Sequence, residues 1–175
     1  MALSHESQGL FEAQGLKVHY TGVGKVKATF TAAQMLEKSK PDWVLNLGTA
    51  GSKKIKVGEL VEVTQFVQRD PLYLEFPQKI FHADPITQFK NVSCGTADFV
   101  EYGEPQIDCE IFDMEAYALA YVCDQKKIKF NSIKYISDSS DENVVREWKA
   151  NLKAASEALL SSYLHLRAQK NLLLL

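Results

Sequence analysis

Arginine is scarce in this chain. Of twenty basic side chains only Arg69, Arg146 and Arg167 are arginines, which leaves few planar forks for gripping a phosphate or a carboxylate. Neither sign of charge dominates. Twenty Lys and Arg against twenty-two Asp and Glu give a formal charge of −2, so the sequence lacks the electrostatic footprint of a nucleic-acid or anionic-membrane binder. Cysteine is sparse and odd in number. Cys94, Cys109 and Cys123 form no CxxC pair and have no histidine at metal-ligand spacing, which argues against a disulfide framework and a structural zinc. No apolar run approaches a membrane span, and the opening MALSHESQGLFEAQG is too polar for a signal peptide. The apolar tail at residues 172–175 reads as a frayed end or a small patch docked on a partner. No repeat, low-complexity block or Gly/Ser linker divides the chain. These absences leave a soluble, cytoplasmic protein, residues 1–175 forming one domain, with nothing that calls for a metal or a cofactor.

What is present is an alternation of strand-like and helix-like patterns. Residues 16–20 read as a strand ending in the glycine turn Thr21-Gly22-Val23-Gly24-Lys25. Residues 26–38 carry Val26, Phe30, Ala33 and Leu36 at helical spacing, and Lys40-Pro41-Asp42 stops that helix. Residues 43–47 are a short apolar run closed by Gly48-Thr49-Ala50-Gly51, which suits a strand buried on both faces. Residues 58–67 read as a strand pair or one long bent strand, and residues 70–93, with Pro71, Pro77 and Pro85, are the least regular stretch. Residues 114–123 are helical and residues 130–136 a strand. A last helix over residues 142–168 has Val145, Trp148, Leu152, Ala155, Leu159, Tyr163 and Leu166 on its apolar stripe, with Ser140 or Asp141 as N-cap. Alternating strands and helices predict an α/β fold, with ligands beyond the carboxyl ends of the strands.

Four segments could carry chemistry: TGVGK, GTAG, FDMEAYALAYVC and SDSSDE. Each alone has a plain reading. TGVGK lacks Walker A spacing, and Lys27 stands where a dinucleotide fingerprint needs its third glycine. GTAG reads equally as a turn, and Asp138, Asp141, Glu142 and Glu115 as acids drawn to helix N-termini.

Taken in order, TGVGK, PDWVLNLGTAG, KVGELVEV, FDMEAYALAYVC and YISDSSDE resemble the nucleoside phosphorylase and nucleosidase superfamily. Within it the nearest likeness is to the bacterial 5′-methylthioadenosine/S-adenosylhomocysteine nucleosidases, over most of residues 16–166. The resemblance implies a single-domain, three-layer α/β/α sandwich with a mixed, largely parallel central sheet. It implies hydrolysis of the N-glycosidic bond of a small purine nucleoside, through a sugar of oxocarbenium character. Asp138 would protonate N7 of the departing base, with Ser137 orienting its carboxyl. Glu115 would accept the ribose hydroxyls and Met114 would pack beneath the sugar. Glu6, in Ala2-Leu3-Ser4-His5-Glu6 with Leu3 in a methionine's place, would activate the water. Thr49, Ala50 and Val23 would line the sugar and base pocket. Phe99 would stack on the purine, and the Val100 backbone would meet the base edge. A homodimer is expected on the same ground.

Phosphorylases of that superfamily hold phosphate with arginines near the glycine turn and before the G-[ST]-A-G motif. None of the three arginines falls at those places, which favours water as nucleophile. Two departures bear on catalysis. Lys134 stands where nucleosidases usually carry arginine, so its ammonium would support the water as a point charge rather than a fork. The family's first central strand is also missing ahead of Glu6, and residues 70–93 look too short for the strand and helix expected there, so a shortened sheet is predicted. A phosphorylase, or a shortened and catalytically weak member that binds nucleosides, are the alternatives the sequence leaves open.

Overall fold

The computed structural model describes residues 1–70, 79–102 and 107–173. Among these, six strands are built: β1 (Trp43–Gly51), β2 (Leu60–Gln68), β3 (Phe81–His82), β4 (Lys90–Thr96), β5 (Ile111–Asp113) and β6 (Lys129–Asp138). Their order is β3-β2-β4-β5-β1-β6, and β2 pairs again with β6, so the sheet curls back on itself. The β1–β6, β2–β4 and β4–β5 pairs are parallel, whereas β1–β5, β2–β3 and β2–β6 are antiparallel. The sheet is mixed and largely parallel, as the resemblance implies. The helices are α1 (Ser4–Ser7), α2 (Leu10–Ala13), α3 (Lys25–Ser39), α4 (Ala116–Lys126) and α5 (Val144–Leu173).

Strand alternation decides which layer each side chain joins. Ala50 and Ile136 point into one cluster with Ala116, Tyr117 and Ala120 of α4. Leu47, Ile133 and Tyr135 point into the other, with Ala155, Leu159 and Leu166 of α5. Ile133, Ile136 and Leu159 are wholly buried, each contributing about 1.5–3 kcal/mol by leaving water. α3 lies on α4 through Ala28, Ala32 and Leu36 against Ala118, Leu119 and Val122.

Two sequence readings are corrected here and one is resolved. Residues 16–20 form no strand. Their alternation instead lets Leu16, Val18 and Tyr20 pack on the α5-side cluster without a ladder partner, while the Tyr20 hydroxyl bonds Glu12 and Ser7. Of the two forms expected for residues 58–67, the structure shows the single long strand, β2, with an irregular register between Val63 and Gln65. The Val26/Phe30 stripe of α3 faces outward, at 79% and 63% exposure, because the small Ala28 and Ala32 are the residues that seat α3 on α4. The irregular stretch partly meets its expectation: β3 is two residues long, and residues 71–78, with Pro71 and Pro77, lie outside the described residues.

Candidate active site

The parallel β1–β6 pair runs in register from Trp43 opposite Lys129 to Ala50 opposite Ile136, then slips so that Gly51 faces Asp138. That slip, beside the single β1–β5 pairing of Gly51 with Phe112, opens the sheet where the carboxyl ends of β1, β5 and β6 meet. A cavity of about 280 Å³ lies there. Glu6, Val23, Thr49, Ala50, Phe99, Val100, Met114, Glu115, Ser137 and Asp138 all line it, ten of the eleven side chains expected from the sequence. The eleventh, Lys134, is buried behind the wall. Its ammonium lies 2.8 Å from Asp113 Oδ2, so its first partner is a carboxylate rather than a water in the cavity.

Gly51 explains the second motif. A Cβ there would lie 2.4 Å from Asp138 Oδ1 and 2.3 Å from Ser140 Oγ, distances no side chain tolerates. Ser137 Oγ donates to Asp138 Oδ2 at 2.8 Å and the Ser140 N–H donates to Oδ1 at 3.1 Å. Burial pushes the Asp138 carboxyl above its ordinary range, and those two donors only partly offset it. Asp138 therefore ends a strand and points into the cavity. The turn-capping bond belongs to Asp141, whose Oδ1 accepts the Asn143 N–H at 2.7 Å.

Gly24, at φ 90°, gives the first motif its reason. Its N–H donates to Glu115 Oε1 at 2.9 Å, drawing the glycine turn against the start of α4. Glu115 sits at the N-cap of α4 with its carboxylate turned away from the helix. Burial, reinforced by the negative charge of Asp113, pushes Glu115 up to about 7. A carboxyl raised on folding binds its proton more tightly in the folded state. Its ionisation therefore weakens the fold as pH rises from about 4.5 to 7. Glu115→Gln removes that loss. The variant is expected to be about 1–3 kcal/mol more stable than wild type at pH 8 and nearly equal at pH 4, read from urea midpoints at the two pH values.

Glu6 is held by four donors. Oε2 accepts the Ala2 and Leu3 N–H groups at 2.8 and 3.1 Å, and Oε1 accepts the Thr49 N–H and hydroxyl at 2.9 and 3.0 Å. Behind this, Asp113 accepts from Thr96 Oγ1 at 2.5 Å and the Ala116 N–H at 2.9 Å as well as from Lys134. Burial works to raise Asp113, but the Lys134 ammonium and these donors outweigh it and hold the carboxyl below its usual value.

The cavity wall also includes side chains that the motifs do not announce, among them Arg69, Glu101, Asp113 and Trp148. Arg69 directly follows the last residue of β2, where its sequence position gives no hint of the cavity. Its guanidinium donates to Glu101 Oε2 at 2.8 Å, to the Phe99 carbonyl at 2.9 Å and, through Nε, to the Gly95 carbonyl at 3.2 Å. It also stacks 4.6 Å from the Phe99 ring centroid. Lys25, the other cation near the glycine turn, is paired with Asp70 and lies 3.8 Å from Asp98. Among the described residues no cluster of three or more His, Cys, Asp or Glu side chains is arranged to hold a metal ion. No helix among them is long and apolar enough to cross a membrane.

A family model described as the phosphorylase superfamily matches residues 8–100, and the chain belongs to that superfamily. Among its relatives is the 5′-methylthioadenosine/S-adenosylhomocysteine nucleosidase of Buchnera aphidicola subsp. Baizongia pistaciae. That protein is 29% identical over a 169-residue alignment that covers 78% of this chain and 67% of the relative. The fold matches the nucleosidase of the same name from Helicobacter pylori, solved with butyl-thio-DADMe-Immucillin-A. The TM-score is 0.84 at 18% identity, covering 96% of this chain and 95% of that one. It also matches the nucleosidase from Colwellia psychrerythraea 34H, solved with adenine, with a TM-score of 0.83 at 20% identity and coverage of 96% and 92%.

Proposed function

We propose that this chain is a purine nucleosidase that hydrolyses 5′-methylthioadenosine, S-adenosylhomocysteine or a closely related nucleoside to free base and sugar. The observation that carries the choice of water over phosphate is the charge of the cavity wall. Glu6, Glu101, Asp113, Glu115 and Asp138 place five acidic side chains there against one arginine, and that arginine is engaged by Glu101 and two carbonyls. A phosphate dianion entering such a site would face repulsion with no free cation among the described residues of its wall.

In this reading Asp138, raised by burial, keeps the proton it delivers to N7 of the base. Glu115 accepts the ribose hydroxyls, and Met114 with Val23 packs on the sugar. Phe99, backed by Arg69, stacks on the purine while the Val100 backbone meets its edge. Glu6 draws a proton from the water that attacks the anomeric carbon. Lys134 serves the site through Asp113, fixing the strand end that leads into Met114 and Glu115. The outward Val26 and Phe30, together with the half-exposed Val23, Phe99 and Val145 that line the cavity, offer apolar surface suited to a second copy of the chain. Three free, buried cysteines suit a reducing cytoplasm.

The test is incubation of the purified protein with methylthioadenosine, adenosylhomocysteine, adenosine and inosine, followed by chromatography of the free base. Adenine from the thioether nucleosides is expected. Tight nucleoside binding with no base released would show a binding module instead.

A further inference from the structure

Trp148 sits one turn into α5, on what the sequence presents as a core stripe, yet it lines the cavity. Its indole N–H donates to Thr49 Oγ1 at 3.0 Å, and Thr49 Oγ1 lies 3.0 Å from Glu6 Oε1. An indole N–H only donates, and a hydroxyl has one proton to give. Thr49 Oγ1 must therefore accept from Trp148, and the proton left to it points at Glu6. The three side chains form a one-way chain, Trp148 to Thr49 to Glu6, that ends on a carboxylate.

We propose that Trp148 is a positioning residue for the water-activating base: it fixes the direction of the Thr49 hydroxyl and so the orientation of the Glu6 carboxylate. The proposal rests on the reading of Glu6 as that base. Without the indole donor, the Thr49 hydroxyl is free to turn towards water or substrate, and Glu6 loses one of the four bonds that aim it. The charged and titratable groups facing Glu6 are the Lys134 ammonium from β6, the Glu115 carboxyl at the start of α4, the Met1 amino group and the Tyr20 phenol. Changing Trp148 alters none of them, so a changed turnover reports the hydrogen-bond chain.

Trp148→Phe keeps the ring against the cavity and removes the donor. It is expected to lower kcat about 10- to 100-fold with KM roughly unchanged. Thr49→Val should do the same, and the double variant should be no slower than Thr49→Val alone, because both break one chain. Independently of turnover, the two indole N–H signals in a nitrogen-15 spectrum belong to Trp43, which donates to Asn131 Oδ1, and to Trp148. Thr49→Val should shift only the Trp148 signal. An unmoved Trp148 signal overturns the bond, and additive losses, or a loss carried by KM rather than kcat, overturn the positioning role. Wild-type protein that releases no base overturns the nucleosidase reading and this role with it, while the indole signals still report whether the bond is made.

Discussion

Asp138→Asn is expected to reduce base release by about 10²- to 10⁴-fold, the usual contribution of a general acid, while leaving the fold intact. The amide is nearly the size of the carboxyl, and its neighbours can accommodate it. Its oxygen can take the Ser140 N–H, and its nitrogen can donate to Ser137 Oγ, a hydroxyl free to accept instead of donate. What the amide cannot do is hand a proton to the leaving base. Wild-type activity should fall as pH rises through the elevated Asp138 ionisation, and the residual activity of the variant should not follow that limb. Steady-state rates across pH, with melting curves as the folding control, decide the matter. A variant within threefold of wild type would remove Asp138 from the mechanism.

Lys134→Met should produce the largest loss of stability, about 3–5 kcal/mol at neutral pH. The ammonium and the Asp113 carboxylate are almost wholly buried at 2.8 Å from one another, and removing one leaves the other as an uncompensated charge. The pH window follows from the two shifts. Asp113 is held below its ordinary 3.8, so its contribution is present above that value and is lost as pH falls through the lower folded-state value. Burial works against the Lys134 charge, but Asp113 outweighs it and raises the ammonium above 10.5, so its contribution is present below that value and is lost only in strong base. The penalty in Lys134→Met should shrink in acid, where Asp113 can protonate, and Asp113→Asn combined with Lys134→Met should recover much of it. Denaturant midpoints at pH 4 and pH 7 test this. Equal midpoints for wild type and Lys134→Met at pH 7 would show that the pair contributes nothing.

The motif residues were legible because each stands where a strand-like apolar run meets glycine, serine or an acid. Thr49 follows Gly48 near the end of β1, Asp138 ends β6, and Glu115 follows β5 by two residues. Composition and spacing do not show which face of a helix meets a cavity. Trp148 therefore reads as one more core residue at helical spacing, although its indole faces the site. α3 fails in the opposite direction: Val26 and Phe30 look like its buried stripe, but Ala28 and Ala32, two residues on and so on the other face, give a flatter surface for α4. Arg69 was invisible for a topological reason. It stands in no motif and is 30 residues from Phe99 in sequence, and the β2–β4 pairing brings the two side by side. Scarcity of arginine argues against a phosphate clamp, and the structure adds a reason the sequence did not contain. Among the described residues lining the cavity, the one arginine is already engaged by Glu101 and the Phe99 carbonyl.

In the proposed reaction water, not phosphate, takes the sugar. Turnover of methylthioadenosine in oxygen-18 water, with and without added phosphate, decides between them. Adenine release is expected at the same rate in both, with one labelled oxygen on the anomeric carbon of the free sugar. Adenine release that requires phosphate, with an unlabelled sugar 1-phosphate as the product, would contradict it.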